Sequence, residues 1–255
     1  MKNMKSVLAT GVFCILAVGC SAPPTANDST SVVPMAVSNP DRPQQDRDRD
    51  SLRKPAELMT FAGVRPGDKV LELIPATGYF TRILSNIVGP QGHVYTLIPT
   101  ELMKVAPKSA DDVNVLITQA PFSNVSVSQT PSAAVAAAEP VDLVWTSDNY
   151  HDLYGFFGAD QAAAFDRAVF KALKPGGTFI VIDHVAKSGT SDVSPKTLHR
   201  IDPATVKAQV VAAGFEFVAE SHALYNPDDS HELKVFDPSI RGKTDQFAFR
   251  FKKPA

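Results

Sequence analysis

Five residues in the middle of the chain, Asp148-Asn-Tyr-His-Asp152, gather two carboxylates, an amide, a phenol and an imidazole. They follow Val141-Asp-Leu-Val-Trp-Thr-Ser147, an apolar run that reads as a buried strand. Imidazole titrates closest to neutral pH, so His151 is the best candidate base, with Asp152 beside it in the catalytic set. Asn149 suits the amino-acid portion of a cofactor or an acceptor, and Tyr150 suits stacking on a flat ligand. A histidine at a strand end also serves as a plain structural cap, and that alternative stands beside the catalytic one. Asp183-His184 ends a second apolar run, Thr178-Phe-Ile-Val-Ile-Asp183. His199-Arg-Ile-Asp202 reads as a helix entry, with Asp202 as N-cap and Pro203 in the first turn. His184, His199 and Arg200 are then candidates to face a substrate, the last two binding an anionic group. Asp228-Asp-Ser-His-Glu232 has metal-ligating residue types but reads as a polar loop between strands. There is no His-Glu-x-x-His, no phosphate loop and no Gly-x-Ser-x-Gly turn.

The elements that must position these groups are legible from hydrophobic pattern. Lys69-Val-Leu-Glu-Leu73 reads as a strand, Ile74 to Thr77 as a tight turn, and Gly78 as the opening of a helix. Such a unit aims backbone N–H groups and a helix N-terminus into the crevice above a sheet. Gly92-His-Val-Tyr-Thr-Leu-Ile98 is a further strand. Ala159 to Leu173 carries apolar residues at helical spacing and ends at the turn signal Lys174-Pro-Gly-Gly177. Pro55 and Glu57 suit a helix start, and Gly63 its end.

The segment from Lys69 to Leu84 resembles the first motif of class I S-adenosylmethionine-dependent methyltransferases, an acidic residue followed by Gly-x-Gly-x-Gly. Aligned on Glu72, the glycine positions fall on Ile74, Ala76 and Gly78. Isoleucine is expected to avoid positive φ, so the turn is expected to depart from the family's, shaped by Pro75. The Lys174–Gly177 corner and the order of strands fit the same family. The runs VWTSDNYHDLY, LHRIDP and RGKTDQFAFRFKKP are similar to a bacterial group of exported methyltransferases. The resemblance implies an α/β fold: a doubly wound, mostly parallel seven-stranded sheet, helices on both faces and the last strand antiparallel. It implies S-adenosylmethionine as methyl donor, held by Glu72, Ile74, Ala76, Gly78, Tyr79 and Asn149. Ile98 stands where the family places its ribose-binding acid, and Glu101 follows three residues late. Metal-dependent O-methyltransferases would use acids such as Asp148 and Asp183 for magnesium; no metal is expected here.

The amino terminus reads as an address. Met1 to Lys5 is basic, and Val7 to Val18 is apolar but short of the roughly 20 residues that span a bilayer. Ala17-Val-Gly-Cys20 resembles a lipobox, which implies cleavage before Cys20 and lipidation of it. The expected organisation is a signal peptide over 1–19, a flexible tether over 20–50 and the methyltransferase-like domain over 51–255. The expected location is the periplasmic face of an outer membrane. The chain has only two cysteines, Cys14 and Cys20, so the domain carries no disulfide and no zinc–thiolate site. With a formal charge of −2 and no basic cluster on a helix face, nucleic acid is not an expected partner. The partners expected are a small-molecule acceptor and, through the anchor, a membrane.

Two functions compete at this level. One is methyl transfer to a small molecule or envelope component. The other is a non-catalytic, lipid-anchored domain that binds a different ligand, favoured by the altered glycines and the displaced ribose acid. A nicotinamide-dependent dehydrogenase is disfavoured by the absence of Gly-x-Gly-x-x-Gly.

Overall fold

The structure is a computed structural model and describes residues 29–105, 107–108, 110–118 and 122–255. The expected signal peptide and Cys20 lie outside the described residues. Seven strands form one sheet: β1 (Lys69–Leu73), β2 (His93–Pro99), β3 (Val125–Thr130), β4 (Val141–Ser147), β5 (Leu173–His184), β6 (Glu216–Ser221) and β7 (Gln246–Lys252). Their order is β3-β2-β1-β4-β5-β7-β6. All neighbours are parallel except β7, which runs antiparallel to both β5 and β6. The expected fold class is the observed one, and the final strand is inserted between its two predecessors.

The alternation of strand side chains divides the core in two. Val70, Trp145, Ile180 and Ala248 point to one face, where α4 (Pro55–Ala62) and α5 (Tyr79–Val88) supply Leu58, Met59, Ile83 and Leu84. Leu71, Val144, Phe179 and Phe249 point to the other. There α8 (Tyr150–Phe157), α9 (Ala159–Ala172) and α11 (Pro203–Ala212) supply Leu153, Phe165 and Val206. Covering both faces makes the strands near-continuous apolar runs, which is why β1 and β4 are readable from sequence. Between β1 and β4 the connections turn in opposite directions. The crevice above their carboxyl ends is the ligand position of such sheets.

The expected tether is not one over its described part. Residues Ser29–Ser38 form α1, which buries Val33 and Ala36 in the core shared with α4 and α5. Two short helices follow, α2 (Gln44–Arg47) and α3 (Asp50–Arg53). The run from Asp41 to Asp50, inside the expected tether, instead holds a buried polar network. Arg42 donates to both oxygens of Asp50, at 2.8 and 2.7 Å, and to the carbonyl of Val37. Buried Asp46 accepts from Arg49 at 2.8 Å and from Arg82 at 3.0 Å. The Pro-, Ser- and Asp-rich composition hides this, because one buried Val–Ala pair and a set of paired charges leave no hydrophobic periodicity.

Candidate active site

The turn after β1 keeps the backbone of a glycine-rich loop with one glycine of the three. Ile74, Ala76 and Gly78 have φ of 54°, 49° and 78°. This corrects the expectation that Ile74 stays out of the left-handed region. A non-glycine residue there costs about 1–2 kcal/mol, and a β-branched one is a true outlier. Neighbouring bonds hold the conformation: Ile74 N–H donates to Leu97 O at 2.8 Å, and Gly78 N–H to Pro75 O at 2.8 Å. Strain of this kind clusters at functional sites because the surroundings must enforce it. Asn149 ties the turn to β4, its amide donating to Ile74 O at 3.3 Å and Ser147 O at 2.6 Å.

Glu72 does not face the crevice. Being even-numbered in β1, it points with Val70 to the α5 side, where it is 3 % exposed and accepts from Thr81 Oγ1 at 2.5 Å. Burial pushes its pKa up to about 7, against the Thr81 hydrogen bond and the charges of Arg53 and Arg82. Three further expected donor contacts are absent. Tyr79 is buried towards the amino-terminal helices, its hydroxyl donating to Asp50 at 2.5 Å and its ring lying under Arg53 at 4.5 Å. Ile98 is fully buried beneath Ala110 and Val113 of the α7 region (α7, Asp111–Leu116). Glu101, in α6 (Thr100–Val105), accepts from the N–H of Ser132 at 3.1 Å and from its hydroxyl at 3.0 Å, so it secures the loop after β3. Above the turn, Ile74, Pro99, Leu102, Asn149, Asp152 and Phe156 line a cavity of 20 Å³. Leu116 crowds Gly78 closely enough that an added Cβ would sit 2.9 Å from its Cδ1.

The polar run after β4 divides two spaces. Asn149 and Asp152 border the small cavity, while Asp148 borders a larger one of 400 Å³ over the ends of β4, β5 and β7. That larger cavity is lined by Arg49, Arg53, Arg241, His184, Thr244 and Gln246, with Leu52, Phe80, Leu224 and Val235 as its apolar wall. Arg53 pairs with Asp148 at 3.3 Å. His184 binds Thr244 Oγ1 through Nδ1 at 2.8 Å, and its Nε2 lies 3.9 Å from Asp148. Burial holds the His184 pKa below its ordinary value, although Asp148 and Asp183 oppose the shift, so the ring is neutral at neutral pH.

His151 is not a free base. It is 3 % exposed; Asp183 accepts from its backbone N–H at 2.7 Å and pairs with its Nδ1 at 2.7 Å. Burial opposes its charge, but Asp183 and Asp152 outweigh burial and lift its pKa to about 10. Its Nε2 faces Asp152 at 3.2 Å and His199 Nδ1 at 3.3 Å. Asp183 also accepts from the His184 N–H at 2.7 Å, so its two oxygens are engaged and it forms no magnesium pair with Asp148. Tyr150 and Arg200 are removed from the substrate side. Tyr150 is buried and donates to Asp166 at 2.7 Å. Arg200 is buried, spends its donors on Leu233 O, Val185 O and Asp229, and approaches Asp229 to 2.8 Å. Asp202 caps α11 by accepting from Ala204 N–H at 2.9 Å, as expected. The polar loop also holds: Asp229 is Arg200's partner, and His231 meets Asp245 at 2.9 Å.

Sequence reading missed the contribution of Arg49, Arg53 and Arg241 to the larger cavity. The only signal was the charge run itself. It also missed Thr81, whose place one turn into α5 sets it opposite a strand acid.

No protein-family model matches the chain. Its sequence is 29% identical over 187 residues to the ubiquinone/menaquinone biosynthesis C-methyltransferase of Shewanella oneidensis, covering 69% of this chain and 67% of that one. Its structure resembles an S-adenosylmethionine-dependent methyltransferase from Aquifex aeolicus with a TM-score of 0.58 at 16% identity, over 80% of this chain and 92% of the other. In sequence and in fold the chain is similar to class I S-adenosylmethionine-dependent methyltransferases. The same fold, at a TM-score of 0.58 and 15% identity over 82% of this chain and 81% of the other, is found in the [4+2]-cyclase SpnF. S-adenosylmethionine is the methyl donor of the superfamily. In this chain the left-handed turn and the Asn149 amide suit it. A cavity of 20 Å³ does not hold a molecule of its size, since ligand pockets run to about 300–1,000 Å³.

Proposed function

We propose that the chain transfers the methyl group of S-adenosylmethionine to a small acceptor lying over the carboxyl ends of β4 and β5. The observation that carries this reading is the left-handed backbone at Ile74, Ala76 and Gly78, tied by Asn149 at the point where the strand order reverses. Retaining that conformation with the wrong residue types is costly, and a ligand-binding turn explains why the cost persists. The donor supplies an activated methyl group for in-line displacement, so the protein mainly positions the two reactants. The turn and Asn149 would hold the donor. The acceptor occupies the 400 Å³ cavity, whose three arginines against one aspartate favour an anionic group on an apolar body.

His184 takes the role first given to His151, because it borders that cavity and is neutral. With the acceptor identified, His184→Gln is expected to lower turnover by about 10²–10⁴-fold while donor affinity stays within twofold or so. Equal losses in both would assign His184 to folding instead.

Titration calorimetry of the full chain with S-adenosylmethionine and S-adenosylhomocysteine tests the donor. A dissociation constant below about 0.1 mM is expected. Gly78→Val should weaken it at least about tenfold by driving the side chain into Leu116, and Ile74→Gly should tighten it by removing strain and bulk. The absence of binding at millimolar ligand leaves the second reading, a non-transferring domain, which the 20 Å³ cavity favours. Fold does not decide between them.

The envelope location is proposed from the amino-terminal sequence: a lipidated Cys20 holding the domain at the membrane. Two acyl chains give stable anchoring where one gives only marginal binding. Mass spectrometry of the mature amino terminus should find a diacylated cysteine, and an unmodified terminus elsewhere rejects the anchor.

A further inference from the structure

His151, Asp152 and His199 direct one donor atom each at a common point. His151 and Asp152 are adjacent in the first turn of α8. His199 follows α10 (Ser194–Leu198) in a left-handed conformation, φ 55°, which turns its ring back towards them. His151 Nε2 lies 3.2 Å from Asp152 Oδ1 and 3.3 Å from His199 Nδ1, and the last two atoms are 3.3 Å apart. The three atoms form an almost equilateral triangle. Ligands at about 2.0–2.1 Å from a tetrahedral zinc ion are about 3.3–3.4 Å from one another.

Hydrogen bonding accounts for the side between His151 Nε2 and His199 Nδ1 but leaves Asp152 Oδ1 unexplained. Asp152 Oδ1 is buried, yet neither ring N–H is aligned to donate to it, and it has no hydrogen-bond partner among the described residues. His151 Nδ1, by contrast, is engaged by Asp183 at 2.7 Å. Zinc must displace the proton that His151 Nε2 carries in the metal-free chain; Nδ1 keeps its own on Asp183, and the Nε2 lone pair then faces the triangle. A metal-bound histidine that gives its other N–H to a carboxylate is the usual arrangement around zinc. Two imidazoles and one carboxylate are donor types that suit zinc, whereas magnesium and calcium take oxygen ligands.

We propose that His151 Nε2, Asp152 Oδ1 and His199 Nδ1 form a zinc site, with a solvent or substrate oxygen as fourth ligand. Only the His199 and Asp152 side of the cluster reaches solvent, the side chains being 17% and 30% exposed against 4% for His151. Phe236 and Phe156 lie beside His199, with ring centroids 4.8 and 6.3 Å from its own, so an incoming oxygen ligand passes aromatic walls. The site lies beside, and does not require, the methyl-transfer reading.

The test is zinc binding by the full chain, purified without a polyhistidine tag, stripped with chelator and titrated against a chromophoric competitor. One equivalent of zinc should bind with a dissociation constant below about 1 µM. Cobalt(II) in its place should give the intense visible bands of a tetrahedral ion. His199→Asn removes a ligand while keeping a residue tolerant of the left-handed backbone, and Asp152→Asn removes another. Each should weaken zinc at least about tenfold, and His199→Asn should melt with the unmutated chain when both are measured in chelator. Less than half an equivalent bound by the unmutated chain, or unchanged affinity in His199→Asn, overturns the site. Donor calorimetry on the same samples separates the two readings. Zinc without donor binding removes only the transferase, and donor without zinc binding removes only the metal.

Discussion

Asp183→Asn is expected to cost about 3–5 kcal/mol of stability, the range seen when one partner of a buried charged pair is removed. Asp183 is fully buried and holds three groups: the His151 N–H, the His151 ring and the His184 N–H, each at 2.7 Å. Asparagine keeps the shape but offers one acceptor oxygen in place of two, and it sets an NH₂ against existing donors. The first turn of α8 and the end of β5 then lose their shared anchor. At about 2–4 °C per kcal/mol for a domain of this size, the melting temperature should fall by on the order of 10 °C. Thermal denaturation followed by circular dichroism measures it. Asp228→Asn, in the exposed polar loop, serves as the control and should melt with the unmutated chain. An equally stable Asp183→Asn chain would show that the pairing with His151 does not hold α8 to the sheet.

Glu72 is expected to make the fold less stable as pH rises through the neutral range. Its folded pKa is about 7 against an ordinary value of 4.5. Below 4.5 both folded and unfolded chains carry the proton, and the group has no effect on the balance. Between 4.5 and 7 the unfolded chain releases it and the folded chain keeps it, so the unfolded state binds fewer protons and stability falls with pH. Above 7 both are ionised and the loss is complete, at about 3 kcal/mol for a shift of this size. Glu72→Gln cannot ionise and can still accept from Thr81, so this decline should vanish. Urea unfolding at pH 5 and pH 8 compares them. The substitution should be close to neutral at pH 5 and stabilising by about 2–3 kcal/mol at pH 8. If Glu72→Gln is destabilising at both values, the carboxylate is ionised in the fold and its partner is a cation that the present geometry does not provide.

These two acids show what kind of information a sequence carries. Asp183 and Glu72 were both legible as polar residues inside apolar strands, and their positions on β5 and β1 followed from the alternation. Their partners were not legible. Asp183 meets a histidine 32 residues earlier, and Glu72 meets a threonine in the helix that follows its own strand. Those contacts depend on how α8 and α5 are rotated on the sheet, which packing sets.

The strands β1, β2, β4 and β5, the turn after β1 and the polar run at the end of β4 were determined locally, by apolar periodicity and turn residues, whereas the order of the strands was implied only by the family resemblance. Val141–Ser147, Pro55–Ala62 with Gly63 after it, and the Asp202 cap all form where short-range chemistry places them. Residue type alone misled at Ile74, because a β-branched preference of one or two kcal/mol yields to two fixed backbone hydrogen bonds and a sheet on either side. It misled again at Arg200 and Tyr150, which look like binding groups and are buried structural ones, since whether a polar side chain meets ligand or protein depends on which element covers it. The placing of neutral His184, and not charged His151, beside the 400 Å³ cavity, and the meeting of His151, Asp152 and His199, belong to tertiary structure for the same reason. Three segments distant in the chain must pack before two carboxylates can surround one imidazole and leave another without its proton.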